Sequence, residues 1–217
     1  AKGAGMLAPS LATMLSVITT DAVVDSKSAD EIFRKVCSET FDRIDSDGCM
    51  STNDTVTLMA SGASGVALTS DQFYDALYKV CDHLSKELIG DAEGHTKIVE
   101  IVTRNAATVD DAIEVGRSCA RNNLLKCALN GGDPNWGRVL AAIGTTQAAF
   151  DPLAIDVSLN GIMVCKDAGV GADRELCDLS GQKILIEIDL KAGKEEATIW
   201  TNDLSAMYVH ENSSYSS

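Results

Sequence analysis

Hydrophobic spacing divides this chain into strands and helices before any other signal is needed. Residues 1–12 carry the breakers Gly3, Gly5 and Pro9 and read as irregular chain. Residues 14–20, MLSVITT, are apolar and β-branched and predict a buried strand. Thr13 thus stands where a loop enters a strand. Ser28-Ala29-Asp30-Glu31 has the form of a capping box, predicting a helix to about Ile44 with Ile32, Val36 and Phe33 turned inward. Ser51-Thr52-Asn53-Asp54 reads as the N-cap of a helix over residues 56–61. Ser70-Asp71 opens the longest amphipathic helix, to residue 89 or 90, in which Phe73, Leu77, Val80, Leu84 and Leu88 keep helical spacing. A polar turn over 91–97 leads into a strand over 98–103. Thr108 caps a predicted helix to about Leu129, and a Gly-rich loop over 130–138 leads to another from Trp136 to about Thr145.

The last third changes character. Residues 155–160, 162–165, 183–190 and 197–201 alternate apolar and polar positions, and Asn160-Gly161 is a two-residue hairpin signal. Ala192-Gly193-Lys194 marks a second turn. Residues 203–209 predict a short capped helix before a polar, Ser-rich tail. The order of elements predicts an α/β fold with mixed or antiparallel sheets and packed helices. The chain has no internal repeat and no low-complexity segment.

Composition narrows the class. At 217 residues the chain can bury a core as one large domain or two small lobes. No apolar run approaches the roughly 20 residues of a membrane span. A net charge of −14 argues against nucleic acid as a partner. The seven cysteines, Cys37, Cys49, Cys81, Cys119, Cys127, Cys165 and Cys177, are odd in number and form no CxxC, which points to a reducing cytosol with cysteines as small core residues.

Candidate chemistry is thin on residue types alone. Aligning Gly48 of Asp45-Ser46-Asp47-Gly48 with a calcium-loop glycine puts Arg43 at the first ligand position and Asp54 at the last, and a cation at the first position is wrong for calcium. No metal site is read. The glycines of 130–138 fit neither phosphate-binding spacing. His83 has no assigned role. If the peptide bond before Thr13 were cut, a free α-amine of pKa about 7.7 to 8 would sit beside the Thr13 hydroxyl, and that pairing is an activated nucleophile.

Four motifs change the picture. KGAGMLAPSLATML at the opening, DAEGHTK over 91–97, NGGDPNWGR over 130–138 and ENSSYSS over 211–217 together resemble the ornithine acetyltransferase (glutamate N-acetyltransferase) family. The resemblance implies a self-processing N-terminal-nucleophile architecture cleaved between Ala12 and Thr13. Residues 1–12 would close an α chain. Residues 13–217 would be the β chain, with an α/β region to about 150, a β-rich region over about 151–202 and an active-site tail over 203–217. Thr13 would be the nucleophile of a ping-pong transfer of acetyl from N-acetylornithine to glutamate in arginine biosynthesis. Lys2, Thr13, Glu93, Asn212 and Ser217 would contact substrate. An acid at Glu93 suits an acceptor that carries cationic amino groups.

The resemblance implies no metal and no organic cofactor, and leaves acetyl-CoA open as a second acetyl donor. It implies as partners the protein's own α chain, whose Thr-Gly pair would supply the oxyanion donors, and a cytoplasmic heterotetramer of two α and two β chains. Nucleic acid and membrane are not expected. Two rivals stand beside it: a self-processing aminopeptidase-like hydrolase passing the acyl group to water, and a non-enzymatic acidic subunit built around residues 45–54.

Overall fold

The computed structural model describes residues 1–7, 14–50 and 53–214. The chain forms two compact units, one of residues 1–44 and 48–92, the other of residues 45–47 and 93–217. The fold is α/β, with helices packed on a mixed sheet.

In the first unit, β1 (Leu15–Thr20) pairs in parallel with β2 (Thr55–Ala60), Leu15 opposite Thr55 and Thr20 opposite Ala60. The expectation of a wholly buried first strand is corrected. β1 alternates, with Ser16 and Ile18 buried while Leu15 and Val17 are 45% and 58% exposed. The expected helix over 56–61 is β2. Thr55, Val56 and Thr57 are β-branched and fit a pleated surface, and the Asp54 carboxylate accepts the Met14 N–H at 2.6 Å instead of capping a helix. Ser51 and Thr52, the other residues of that predicted cap, lie outside the described residues.

Helix α1 (Ser26–Glu39) starts earlier and ends sooner than expected. Its cap is Asp25, whose carboxylate accepts from the Ser28 N–H and the Ser28 hydroxyl, both at 3.0 Å, so Ser28 donates and does not cap. A short 3₁₀ turn, Phe41–Arg43, takes the place of the expected last turn. Helix α2 (Ser70–Gly90) matches its expected span, capped by a Thr69–Gln72 capping box. Its buried face runs through Phe73, Leu77, Cys81, Ser85, Leu88 and Ile89, and Val80 is 44% exposed instead of inward.

The second unit is a six-stranded sheet with helices on it. Its strands are β3 (Ile98–Ala106), β4 (Asp156–Leu159), β5 (Ile162–Lys166), β6 (Gly169–Val170), β7 (Lys183–Asp189) and β8 (Glu195–Asn202). Their spatial order is β6-β5-β4-β7-β3-β8, with only β3 and β7 parallel. The β4–β5 hairpin turns through Asn160 and Gly161, both at positive φ (47° and 81°), as its Asn-Gly pair predicted.

The single helix expected over 108–129 is two. α3 (Val109–Ala120) ends, and Asn122 caps α4 (Asn123–Asn130) by accepting the Leu125 N–H at 2.9 Å. An Asx residue that satisfies a first-turn N–H starts a second helix there. α3 lies close on the sheet because residue 116 is glycine, where a Cβ would stand 2.7 Å from Ile199 Cγ1. α5 (Trp136–Ile143) is capped by Asn135. A continuous core, including Val99, Ile101, Val115, Leu125, Ile143, Ile186 and Ile199, fills the space between the helices and the sheet. α6 (Ala206–Ser214) extends through the first residues of the predicted tail.

All seven cysteines are free. Cys81, Cys119, Cys165 and Cys177 are buried as expected, whereas Cys49 and Cys127 are exposed. Among the described residues no helix is long and apolar enough to cross a membrane.

Candidate substrate site

The DAEG turn and α6 are built onto each other. Gly94 has φ +64°, and a Cβ there would lie 2.4 Å from the Tyr208 backbone, so this turn can take α6 against it only as glycine. The Ser205 hydroxyl donates to the Gly94 carbonyl and accepts the Tyr208 N–H at 3.1 Å, so one side chain both caps α6 and ties it to the turn. Asp203, expected to open this helix, does other work. Its carboxylate accepts from the Thr96 and Lys97 N–H groups (2.8 Å each), the Thr96 hydroxyl (2.6 Å) and Asn130 Nδ2 (2.7 Å). Burial would raise this carboxyl, but those hydrogen bonds outweigh it and hold it below the usual carboxylate value. Asn130, first residue of the NGGDPNWGR loop, thereby ties that loop to Thr96 and Asp203, a structural role for it.

The clamp brings together two predicted site residues. Asn212 Nδ2 donates to Glu93 Oε1 at 2.9 Å across 119 positions of sequence, and to the Tyr208 carbonyl one turn back at 3.0 Å. Glu93 is half-buried and Asn212 exposed. Beside them is a recess of about 60 Å³, lined in part by Asp47, Glu93, Arg121, Lys126, Asp203 and Tyr208.

The floor of this recess was missed by sequence reasoning. Lys126 is only 4% exposed, and its Nζ donates to the Ser46 carbonyl and to Thr201 Oγ1 (3.3 Å). Burial pulls its pKa down to about 8, against the opposing pull of Asp45, Asp47 and Asp203. Arg121 Nε donates to the buried Asp45 carboxylate at 2.7 Å. These bonds fix Asp45–Asp47, the stretch read as a turn or calcium loop, as part of the second unit. A lysine within the apolar run NLLKCALN was the available signal.

In the first unit, Lys2 forms an antiparallel backbone bridge with Leu15 (N–O distances 2.8 and 2.9 Å), which sets the KGAGM motif beside the start of β1; its side chain is exposed. Asp54 sits at the same strand start through its bond to Met14. Burial raises the Asp54 carboxyl, partly offset by the Met14 N–H, and its second oxygen, Oδ2, is buried with no hydrogen-bond partner among the described residues. Three predicted positions, Ala12, Thr13 and Ser217, lie outside the described residues. Among the described residues no cluster of three or more His, Cys, Asp or Glu could hold a metal ion.

A family model described as the ArgJ family matches residues 1–217. The arginine biosynthesis bifunctional protein ArgJ of Streptomyces avermitilis is 61% identical over 217 residues, covering 100% of this chain and 57% of that protein. The ArgJ proteins of Thermobifida fusca and Mycobacterium leprae are 55% and 54% identical, with 56% and 53% of their lengths covered. The chain therefore spans little more than half the length of these relatives. The crystal structure of the arginine biosynthesis bifunctional protein argJ from Bacillus halodurans superposes with a TM-score of 0.89 at 34% identity, covering 94% of this chain and 100% of that one.

Proposed function

This chain belongs to the ArgJ family, and we propose that it is the nucleophile-bearing part of an acetyltransferase of arginine biosynthesis. The reaction is transfer of acetyl from N-acetylornithine to glutamate. Cleavage between Ala12 and Thr13 frees the Thr13 amine. The Thr13 hydroxyl attacks the acetyl carbonyl while that amine takes the hydroxyl proton. As the amide C–N bond breaks, the proton passes to the departing ornithine nitrogen, leaving acetyl as an ester on Thr13. The glutamate amine then attacks the ester and the hydroxyl is regenerated.

The observation that supports this reading best is the Glu93–Asn212 pair. Two motif residues from opposite ends of the second unit's sequence meet, and one of them, Glu93, lines a polar recess. A half-buried carboxylate there suits the amino group of an ornithine-like substrate, and an amide beside it supplies both a donor and an acceptor. Lys2 and Ser217 complete the substrate contacts in this proposal. The oxyanion donors, a Thr-Gly pair, come from an α chain corresponding to the part of the relatives that this chain does not span. Each such donor is worth roughly 3–4 kcal/mol. The working assembly is a cytoplasmic heterotetramer of two α and two β chains. No organic cofactor is required, and acetyl-CoA would load the same Thr13 ester as an alternative donor.

Intact-mass measurement tests this on protein produced together with the N-terminal part present in its relatives. The reading expects a chain beginning at Thr13 that gains one acetyl group (about 42 Da) with N-acetylornithine and loses it to glutamate. Release of free acetate at the same rate with or without glutamate would instead establish a hydrolase.

A further inference from the structure

We infer that the recess beside Glu93 reads the side-chain end of both substrates, with Arg121 and Lys126 taking the side-chain carboxylate of glutamate. The inference rests on the proposed acetyl transfer from N-acetylornithine to glutamate and assigns acceptor specificity within it. A transfer that alternates these two substrates poses an electrostatic problem. The ornithine side chain ends in an ammonium and the glutamate side chain in a carboxylate. A recess of one sign would favour one of them and repel the other. This lining carries both signs, Arg121 and Lys126 against Asp47, Glu93 and Asp203. Its volume of about 60 Å³ suits an ammonium or carboxylate with its last methylene, not a whole amino acid.

The hydrogen bonds already made show which groups are left for a ligand. Asp203 is taken up by donors from Thr96, Lys97 and Asn130. Glu93 accepts from Asn212 on Oε1, and its Oε2 has no hydrogen-bond partner among the described residues. Arg121 gives its Nε to Asp45, and its two terminal nitrogens have no hydrogen-bond partner among the described residues. Lys126 has three N–H donors and gives two, to the Ser46 carbonyl and Thr201 Oγ1. The exposed Asn123 amide, on the same lining, adds an uncommitted donor. The recess thus offers a carboxylate oxygen to an ammonium and several charged N–H groups to a carboxylate.

The break between α3 and α4 builds the basic side. Residues five apart on an uninterrupted helix stand about 140° apart around its axis. Because α3 ends at its C-cap, Arg121, and Asn122 starts α4, Arg121 and Lys126 line one recess. Lys126 is 4% exposed, so its ammonium has already lost most of its hydration and binds a carboxylate with little competition from water. Burial lowers its pKa to about 8 against the opposing pull of Asp45, Asp47 and Asp203, which leaves it mostly protonated at pH 7. Asp47 keeps the lining from becoming purely basic, which would exclude the ornithine side chain.

The test uses the protein produced together with the N-terminal part present in its relatives. Calorimetry compares binding of glutamate with binding of 2-aminopentanoate, which has the same five-carbon chain and no side-chain carboxylate. Kinetics supply kcat/KM for donor and acceptor separately, since each reports its own half of a ping-pong reaction. The inference expects the unmutated protein to prefer glutamate to 2-aminopentanoate by about 10- to 100-fold, the range of a hydrogen bond to a charged group. Arg121→Gln, whose amide can still donate to Asp45, and Lys126→Met should each narrow that preference by about tenfold. Each should also lower kcat/KM for glutamate more than for N-acetylornithine, and Glu93→Gln should do the reverse. Equal binding of the two acceptors by the unmutated protein overturns the inference. So does a preference unchanged in Arg121→Gln and Lys126→Met, or an equal loss for donor and acceptor, which a purely structural role would produce. Should Lys126→Met not fold, Arg121→Gln, at a side chain 47% exposed, carries the test. Arg121-dependent preference for glutamate in a protein that transfers no acetyl would sink the proposed reaction and leave the recess assignment standing. Acetyl transfer with a preference indifferent to Arg121 would do the opposite.

Discussion

The two units of this chain differ in how complete they are. The second has six strands and a continuous apolar core, with Ile186, Ile188, Val99 and Ile199 at or below about 1% exposure. Among the described residues the first has a two-stranded parallel sheet, one face of which shows Leu15, Val17 and Met59 at 45–58% exposure. Parallel strands are ordinarily covered on both faces. The comparison teaches that a side-chain pair is fixed where a completed core stands behind it. Glu93 and Asn212 are held by such a scaffold, while β1 leaves the apolar side chains Leu15 and Val17 exposed.

That contrast can be broken or sharpened in order of expected effect. With Thr13 as the proposed nucleophile, Thr13→Ala should lower acetyl transfer by about 10⁴-fold. A residual rate within tenfold of the unmutated protein would remove Thr13 from the chemistry. Ile186→Ala should destabilise by about 2–5 kcal/mol, measured by urea unfolding, since Ile186 is 0% exposed in the sheet core. Val17→Ala, at 58% exposure, should cost under about 0.5 kcal/mol. Equal costs would abolish the distinction between a complete and an open unit.

Gly94→Ala should cost about 1–3 kcal/mol and weaken substrate binding, because both the positive φ and the 2.4 Å approach of the Tyr208 backbone exclude a methyl group. A variant with unaltered KM would separate the turn from the Glu93–Asn212 pair.

The smallest expected effect is a pH slope. The folded-state pKa of Lys126, about 8, lies below its ordinary 10.5, so between those values the unfolded chain binds more protons than the folded one. Its contribution to stability therefore rises with pH from about 8 to 10.5 and is flat below that window. Lys126→Met should flatten the slope; an unchanged slope would assign it to other groups.

Much of this was legible in residues. The α2 span, the β3 strand and the Asn160-Gly161 hairpin followed from local periodicity and turn chemistry, because each is decided by neighbours within a few positions. The DAEG and C-terminal motifs supplied Glu93 and Asn212 as separate candidates. Three errors have separate causes, one of them local. Residues 55–60 became a strand because β1 was available to pair with them, which local propensity does not record. Asp25 took the N-cap expected of Ser28, since a carboxylate could accept two bonds there. The helix expected through 129 broke at Arg121-Asn122, where Arg121 reaches Asp45 and Asn122 caps a second helix.

By itself, then, the sequence determined the class of fold, most element positions and the motif residues that resemblance marks as substrate contacts. Only the tertiary structure decided that Asp203 binds the Thr96 turn to Asn130, that Lys126 is buried against Ser46 and Thr201, and that Asp54 is fastened to Met14. These are pairings across 73–107, 75–80 and 40 positions. Hydrogen bonds and burial depend on distance in space, and a one-dimensional pattern encodes spacing along the chain but not which distant donors and acceptors the folded backbone brings within 3 Å.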